Sequence, residues 1–427
     1  MIPEKAFERL LGLDESWEVG AAEYEALPVE RFLLVVRETA LLWPKLVCPV
    51  AMCGHTKVVC HDHTEARTWR HLDAFGKPTE ILCQPPRARC TACRHVWKVP
   101  LPWEGESKHF TRDFEAFALT LMREMPMKKA GQILGEHDTR LWRMLFAHVR
   151  KAYAALDLSN LVHVGVDEMN RRKGHRYLTV FADLVARRVI FATEGKDHST
   201  FARFVEELGK HNGHPKSVTA VAMDLSAAYQ KGAREELANA EMVFDPFHVS
   251  ALVSEGMDEV RRREAASGAP AKAALKKTMY LFRKNPENLT DSQQTRLEEL
   301  DLKHWAVGQA YQMRLEMRDI YQHTVKPEKA RYRLESWINW VRAKCEEYGE
   351  CLAPMAKVAN TIEKHLEGIL AHWTTGWLST GFMEGLNSVF SAVKRKARGY
   401  RTSAYMIPML YFVAGKLNIP SVLSHRK

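Results

Sequence analysis

The sequence predicts a multidomain α+β chain, and three observations predict it. Six of the eight cysteines crowd between Cys48 and Cys93. Residues 161–248 run as three strands and then alternate helix with strand, whereas residues 249 to about 378 read as helix after helix. With 427 residues, 46% of them hydrophobic, the chain is long enough for two or three domains with sizeable cores.

Residues 1–40 alternate short amphipathic stretches with acids and read as a lead-in. Residues 44–103 are rich in Cys, His and basic residues and end in "VPLPWEG", which reads as a Pro/Gly linker. "CPVAMCGH" and "CTACRH" supply two close cysteine pairs, Cys48/Cys53 and Cys90/Cys93. Four thiolates so paired suit a tetrahedral structural zinc site, and in a reducing compartment they point to metal more than to disulfides. Cys60, His61, His63 and Cys83 are rival ligands, and buried free thiols are the plain alternative.

"MKKAGQILGEHDTRLWRMLFAHVRKAY" reads as helix, turn at Gly135, helix. The second helix opens near Asp138, with Thr139, Arg140 and Arg143 outward and Leu141, Met144, Leu145 and Val149 inward. This is the pattern of a helix-turn-helix whose second helix enters a major groove, although ordinary bundles contain the same turn.

"LVHVGVDE", "YLTVFADLV" and "RVIFATEG" are rich in β-formers and form a meander. "TFARFVEELGKH" is an amphipathic helix, "VTAVAMD" a strand, "AAYQKGAREELA" a helix and "EMVFDPFHV" a strand. Strands added through helices join in parallel, giving a ribonuclease-H-like order. Asp167 ends the first strand and Asp224 the fourth, so both carboxylates are expected on one sheet edge. Glu384 opens the late helix "TGFMEGLNSVFSAVKRKARGY". Three hard oxygen donors suit Mg²⁺ or Mn²⁺, which a phosphodiester-cleaving site uses to activate a nucleophile and stabilise a leaving oxygen. The plain reading of each acid is a loop cap; Glu168, Asp183 and Asp245, the last beside His248, are rivals.

The formal charge is +10 and the last 43 residues hold eight Lys/Arg and no acid, which points to a polyanionic partner. On the Glu384 helix the expected apolar face is Phe382, Leu386, Val389, Phe390 and Val393. Glu384, Asn387, Ser388, Ser391, Arg395 and Arg398 fall on the other. Lys394, Arg395 and Arg398 are the expected contacts to a DNA backbone. Trp305, Tyr311, Tyr321, Trp337 and Trp340, with many Arg between, suit a helix-bundle core more readily than base stacking. Neither a signal peptide nor a membrane span is expected, which predicts a cytoplasmic protein.

"VGVDE…RKGHRYLTVFADL", "AMDLSAAY", "VFDPFHV", "RKNPENLT" and "GFMEGLNS…KRKARGY", in this order over nearly the whole chain, resemble the ISL3 family of bacterial insertion-sequence DDE transposases. The resemblance implies a zinc-binding head (1–103), a helix-turn-helix (104–158) and a ribonuclease-H-like core (159–249 and 376–427) interrupted by a helical insertion (250–375). It places the Asp-Asp-Glu metal triad on Asp167, Asp224 and Glu384. It implies recognition of terminal inverted repeats, cleavage of double-stranded DNA at the transposon ends and transfer to target DNA, by a homodimer because two ends are joined. A catalytically silent DNA-binding derivative and a hydrolysis-only nuclease are the rival functions.

Overall fold

The computed structural model describes residues 4–26, 30–172, 176–300, 302–397, 399–400 and 402–422. The chain forms two compact units, one built from residues 1–155, 393–398 and 411–427 and the other from 156–392 and 399–410.

The first unit opens with α1 (Glu4–Leu10) and seven strands: β1 (Trp17–Glu25), β2 (Arg31–Glu38), β3 (Val58–His63), β4 (Arg67–Ala74), β5 (Lys77–Cys83), β6 (Pro86–Cys90) and β7 (Val96–Lys98). They make a four-stranded sheet, β1-β2-β5-β4, and a three-stranded sheet, β3-β6-β7. The expected lead-in is thus half of a sheet. β2 ("RFLLVVRE") has an apolar run that buries Leu33, Leu34 and Val36, and its parallel partner β5 lies more than 40 residues away. "VPLPWEG" is not a linker, because Val99, Leu101 and Trp103 are buried in the core of this unit. The Trp103 ring meets Trp17 and Trp69 edge-on at 5.2 and 6.0 Å, a favoured aromatic geometry.

Three helices follow: α2 (Arg112–Glu124), α3 (Met127–Leu134) and α4 (Asp138–Ala154). Thr111 caps α2, its hydroxyl accepting from the Phe114 N–H. Glu115 is buried yet satisfied: it accepts from the N–H groups of Glu106 and Ser107 at 2.7 Å each, and His148 Nε2 of α4 lies 2.8 Å away. A carboxylate buried without such partners would be strongly unfavourable, so this network fixes α2 against α4 and the segment before it.

The second unit holds β8 (His163–Arg172), β9 (Arg176–Asp183), β10 (Arg188–Glu194), β11 (Ala220–Met223) and β12 (Glu241–Phe244) in the order β10-β9-β8-β11-β12. β8, β9 and β10 form the antiparallel meander, and β11 and β12 add in parallel. α5 (Ser199–Lys210) packs through Phe204, whose ring stacks 4.4 Å from Phe181 of β9. α6 (Ala227–Glu236) connects β11 to β12.

The expected strand "EMVFDPFHV" stops at Phe244. Pro246 occupies the first turn of α7 (Pro246–Ala266), where its missing N–H is harmless and its fixed φ suits a helix. The helical run then comprises α8 (Ala269–Ala274), α9 (Met279–Arg283), α10 (Asp291–Glu299), α11 (Ala306–His323), α12 (Pro327–Tyr348), α13 (Ala353–Lys364) and α14 (Leu366–Thr374). Glu264 of α7 accepts from the first N–H groups of α11, Ala306 and Val307, at 2.9 and 2.7 Å, which answers two donors that a helix start leaves open. Tyr311 and Trp337 belong to the bundle core, and Trp337 Nε1 donates to the Met313 carbonyl at 2.9 Å. The chain ends in α15 (Gly381–Lys396) and α16 (Ser403–Ala414). Among the described residues no helix is long and apolar enough to cross a membrane.

Candidate functional site

Asp167 and Asp224 are brought to one level by strand register. β8 and β11 are hydrogen-bonded neighbours with Gly165 opposite Ala222. Each aspartate lies two residues further on, and the period of two puts it on the same face as that pair. The expected end of the strand at Asp167 is not observed. β8 continues to Arg172, pairing Met169 with Leu178, Asn170 with Tyr177 and Arg172 with Arg176. The polar "NRR" has no apolar alternation to announce it; backbone pairing alone extends it.

α15 carries Glu384 in its first turn. It docks on the sheet where Gly165 leaves room: a Cβ there would stand 2.7 Å from Leu184 and 3.4 Å from Met383. The buried stripe of α15 is Met383, Leu386 and Phe390, while Val389 is 50% exposed. The expected apolar face is therefore rotated, because Met383 reaches the gap above Gly165 and burial of a side chain of that size favours folding by about 1.5–3 kcal/mol.

The electrostatics of the three acids differ. Asp167 Oδ1 accepts its neighbour's N–H from Glu168 at 2.7 Å, and Oδ2 accepts from Asn387 Nδ2 at 2.6 Å. Burial pushes the Asp167 carboxyl up, the two donors and His248 oppose it, and the charge of Asp224 adds to the rise. Asp224 Oδ1 accepts from the Ser226 N–H at 2.9 Å. Glu384 is also pushed up, by burial first and then by Asp245 and Asp167, and its Oε1 is buried with no hydrogen-bond partner. An acid in that position is stabilised by a cation or a proton. Asn387 stands three residues after Glu384 and so shares its helix face.

Among the described residues, two groups of three or more metal-ligating side chains bring their ligand atoms within 4.8 Å of one another, and the three carboxylates are not such a group. They are coupled through their fields, Asp224 on Asp167 and Asp167 on Glu384. Of the rivals, Asp183 is a turn cap that accepts from Val185 and Ala186 N–H groups at 3.0 and 2.9 Å. Glu168 is pushed up mainly by burial. Asp245 is fully buried; its Oδ1 accepts from the Thr380 N–H at 3.0 Å and its Oδ2 lies 3.2 Å from His248 Nδ1. Burial alone would raise its carboxyl, but these partners hold it below the usual range, and the same pairing raises His248.

The four cysteines, Cys48, Cys53, Cys90 and Cys93, form one of the two metal-competent groups. Cys48 Sγ lies 3.5 Å from Cys93 Sγ and Cys53 Sγ 3.7 Å from Cys90 Sγ. These separations are too long for disulfides and near the roughly 3.8 Å edge of a tetrahedron with Zn–S of about 2.3 Å. Two knuckles present them. The Cys48 N–H donates to the His55 carbonyl and the Cys90 N–H to the His95 carbonyl, both at 3.0 Å. The residue after each second cysteine, Gly54 or Arg94, is left-handed, at φ 53° and 63°. Pairing of Val58 with Cys90 joins the knuckles. The C-x₄-C spacing of the first pair is thereby accommodated. Burial pushes the Cys48 thiol up to about 12, whereas the N–H of Cys93 brings Cys90 down to about 6. The other group is Glu38, Cys60 and His63.

In the helical segment, Gly135 ends α3 in the left-handed conformation at φ 66°, the conformation glycine adopts without strain. Leu141, Met144, Leu145 and Val149 are buried as their spacing predicts. Arg143 is exposed. Arg140 is half-buried and engaged within the chain, 2.5 Å from Glu136 and over the Phe110 ring at 4.7 Å. Glu136 stands in the turn between α3 and α4, just before the N-cap His137, which brings its carboxylate to the first turn of α4. Of the basic residues on α15, Arg395 is exposed, Lys394 is half-buried with its ammonium lowered by that burial, and Arg398 lies outside the described residues.

Residues 99–149 match the model "Helix-turn-helix domain of transposase family ISL3", and residues 164–410 match the DDE model of ISL3, described as "Transposase". The chain is 28% identical over 413 residues to the transposase for insertion sequence element IS1001 of Bordetella parapertussis, covering 95% of this chain and 97% of that protein. It is 26% identical over 459 residues to the transposase for insertion sequence element IS1557 of Mycobacterium tuberculosis, covering 99% and 98% respectively.

Proposed function

The chain belongs to the transposase family ISL3, and from that premise we propose that it binds the terminal inverted repeats of an insertion sequence and cuts and joins DNA there through Asp167, Asp224 and Glu384. The observation that carries this reading is the buried, unpartnered oxygen of Glu384, on a helix docked beside the strand that bears Asp167. The strand order β10-β9-β8-β11-β12 supports a ribonuclease-H-like core, with residues 250–375 as the helical insertion; of the segment 376–427 expected to return to the core, 376–392 and 399–410 share its compact unit, whereas 393–398 and 411–427 belong to the first unit.

Three carboxylates supply hard oxygen donors, one of them the unpartnered Oε1 of Glu384, and such donors fit Mg²⁺ or Mn²⁺. Divalent ions held there would neutralise phosphate charge and assist both attack and departure of oxygen in phosphodiester exchange. The chain's own residues prepare that site. Asn387 orients Asp167 by occupying Oδ2, the Glu168 N–H occupies Oδ1, and the Ser226 N–H orients Asp224. Water would serve as nucleophile for end cleavage, and the freed 3′-hydroxyl would attack target DNA at the same carboxylates.

The head (1–103) is proposed to hold a structural Zn²⁺ on Cys48, Cys53, Cys90 and Cys93. Together with the helix-turn-helix (104–158) it would read the ends, and a homodimer on DNA would hold two of them. Lys394, Arg395 and Arg398 are the proposed backbone contacts of the C-terminal segment. Exposed Arg143 is the base-reading candidate on α4, while Arg140 acts through its ties to Glu136 and Phe110. Arg143→Ala should weaken binding to the element's ends by about 1–3 kcal/mol with relaxed discrimination if it contacts a base. If it contacts phosphate, binding falls for all sequences and the salt slope shrinks by about one. Titration on end and scrambled DNA at several salt concentrations checks this, and unchanged affinity and slope would remove Arg143 from the reading surface. The proposed function as a whole is tested by cleavage and joining of DNA that carries the gene's own flanks.

A further inference from the structure

We propose that Asp245 is the positioning residue for Glu384. The inference rests on the reading of Glu384 as a metal-binding acid. Met223 of β11 pairs with Phe244 of β12, so Asp245 stands at the level of Asp224. Three aspartates therefore form a row across adjacent strands: Asp167, Asp224 and Asp245. The third is different in kind. It is 1% exposed and both of its oxygens are committed, one to the Thr380 N–H and one to His248. Asp167 and Asp224 are only half-buried, so the near-complete burial of Asp245 sets it apart: it is closed to a cation shared with the other two, and suited to hold a neighbouring element in place.

The held element is the start of α15. Thr380 is itself buried, and its carbonyl accepts from the N–H groups of Met383 at 2.6 Å and Glu384 at 3.3 Å. The chain of contacts runs from the Asp245 carboxylate through one residue to the Glu384 backbone. Met383, next to Glu384, is the second docking point, in the gap above Gly165. The position of the Glu384 carboxylate is set by these two anchors, because its Oε1 makes no hydrogen bond of its own. The anchor spans 135 residues of sequence, so the helical run between is tied at both ends to the same corner of the sheet.

The test uses the full-length chain and Mn²⁺ alone as probe, with free Mn²⁺ counted by electron paramagnetic resonance. Affinity for end DNA is measured separately in EDTA. Asp245→Ala should weaken Mn²⁺ binding by about 10–100-fold, the range for residues that orient metal ligands, with DNA affinity unchanged. Asp245→Asn keeps a carbonyl acceptor for the Thr380 N–H and should restore most of the binding. Thr380→Pro deletes the donated N–H at a position next to a helix start, where proline is tolerated, and should reproduce the loss seen with Asp245→Ala. It decides the matter if Asp245→Ala also loses DNA affinity through misfolding. Wild-type Mn²⁺ binding by Thr380→Pro, or equal losses in Asp245→Ala and Asp245→Asn, would overturn the proposal. Glu384→Gln serves as reference: if it binds Mn²⁺ normally, the reading of Glu384 falls and this one with it. If it loses binding while Asp245→Ala does not, only the positioning role falls.

Discussion

Asp167→Asn and Asp224→Asn proteins should bind end DNA as the unaltered chain does, and cut it about a thousandfold more slowly or worse, the scale on which loss of one preorganised electrostatic group acts. The amide keeps the shape of the acid: the Ser226 N–H retains an acceptor at residue 224, and at residue 167 the amide oxygen still accepts from the Glu168 N–H while Asn387 can turn its own amide to accept from the new NH2. What is lost is negative charge at two neighbouring points of the sheet, and with it the hard anionic donors that Mg²⁺ selects. Folding should not suffer, since burial and mutual repulsion raise Asp167 in the native state. A group whose folded pKa is raised favours the fold when protonated and opposes it when ionised, so a neutral amide relieves that opposition at neutral pH. Single-turnover cleavage of labelled end DNA, beside a binding isotherm, separates the two quantities. Cleavage near the wild-type rate by either variant would mean that the wrong carboxylates have been chosen.

Cys90→Ser should release zinc and unfold the head. Apparent binding free energies of small structural zinc sites are about 10–16 kcal/mol, and in such modules that energy is folding energy. The head has a hydrophobic core of its own around Trp69, Ile81 and Trp103. The strands next to the knuckles, β3, β6 and β7, are short and partly exposed, and depend most on the cysteines. Cys90 is buried and pairs with Val58, so its loss acts on both knuckles at once. The expected result is one zinc per chain in the wild type, none in the variant, and accelerated proteolysis between residues 46 and 98. Metal-free protein with a protease-resistant head would contradict the assignment.

Local pattern carried the second unit far. The Val, Ile, Tyr and Phe runs announced the meander, and short against helical connections fixed which strands were antiparallel and which parallel. From those two facts Asp167 and Asp224 could be placed on neighbouring strands. The face of α15 was not legible in the same way. Met383 and Val389 are both apolar, and only the gap above Gly165 decides which is buried. Asn387 was placed on the polar face, but its partner, 220 residues earlier, is a product of tertiary docking. β1 and β2 are not legible in the sequence because the acids within and around them imitate a surface lead-in, and their sheet is completed only by β4 and β5. "VPLPWEG" misled because Pro and Gly mark turns whether or not the residues between them are buried. Arg140 and Arg143 carry the same charge on the same helix; only the preceding Glu136 distinguishes the tied one from the free surface.

The central claim is that one set of carboxylates both frees and joins DNA ends. It is tested most directly by incubating the purified chain with two labelled DNA fragments that carry the gene's flanks and a supercoiled target, with Mg²⁺ or with EDTA. Fragments ending in a 3′-hydroxyl at the repeat boundary and a joined product in target DNA are expected, both with Mg²⁺ and neither with EDTA, and both lost together in Glu384→Gln. Cleaved ends that are never joined, or joining that survives Glu384→Gln, would contradict it.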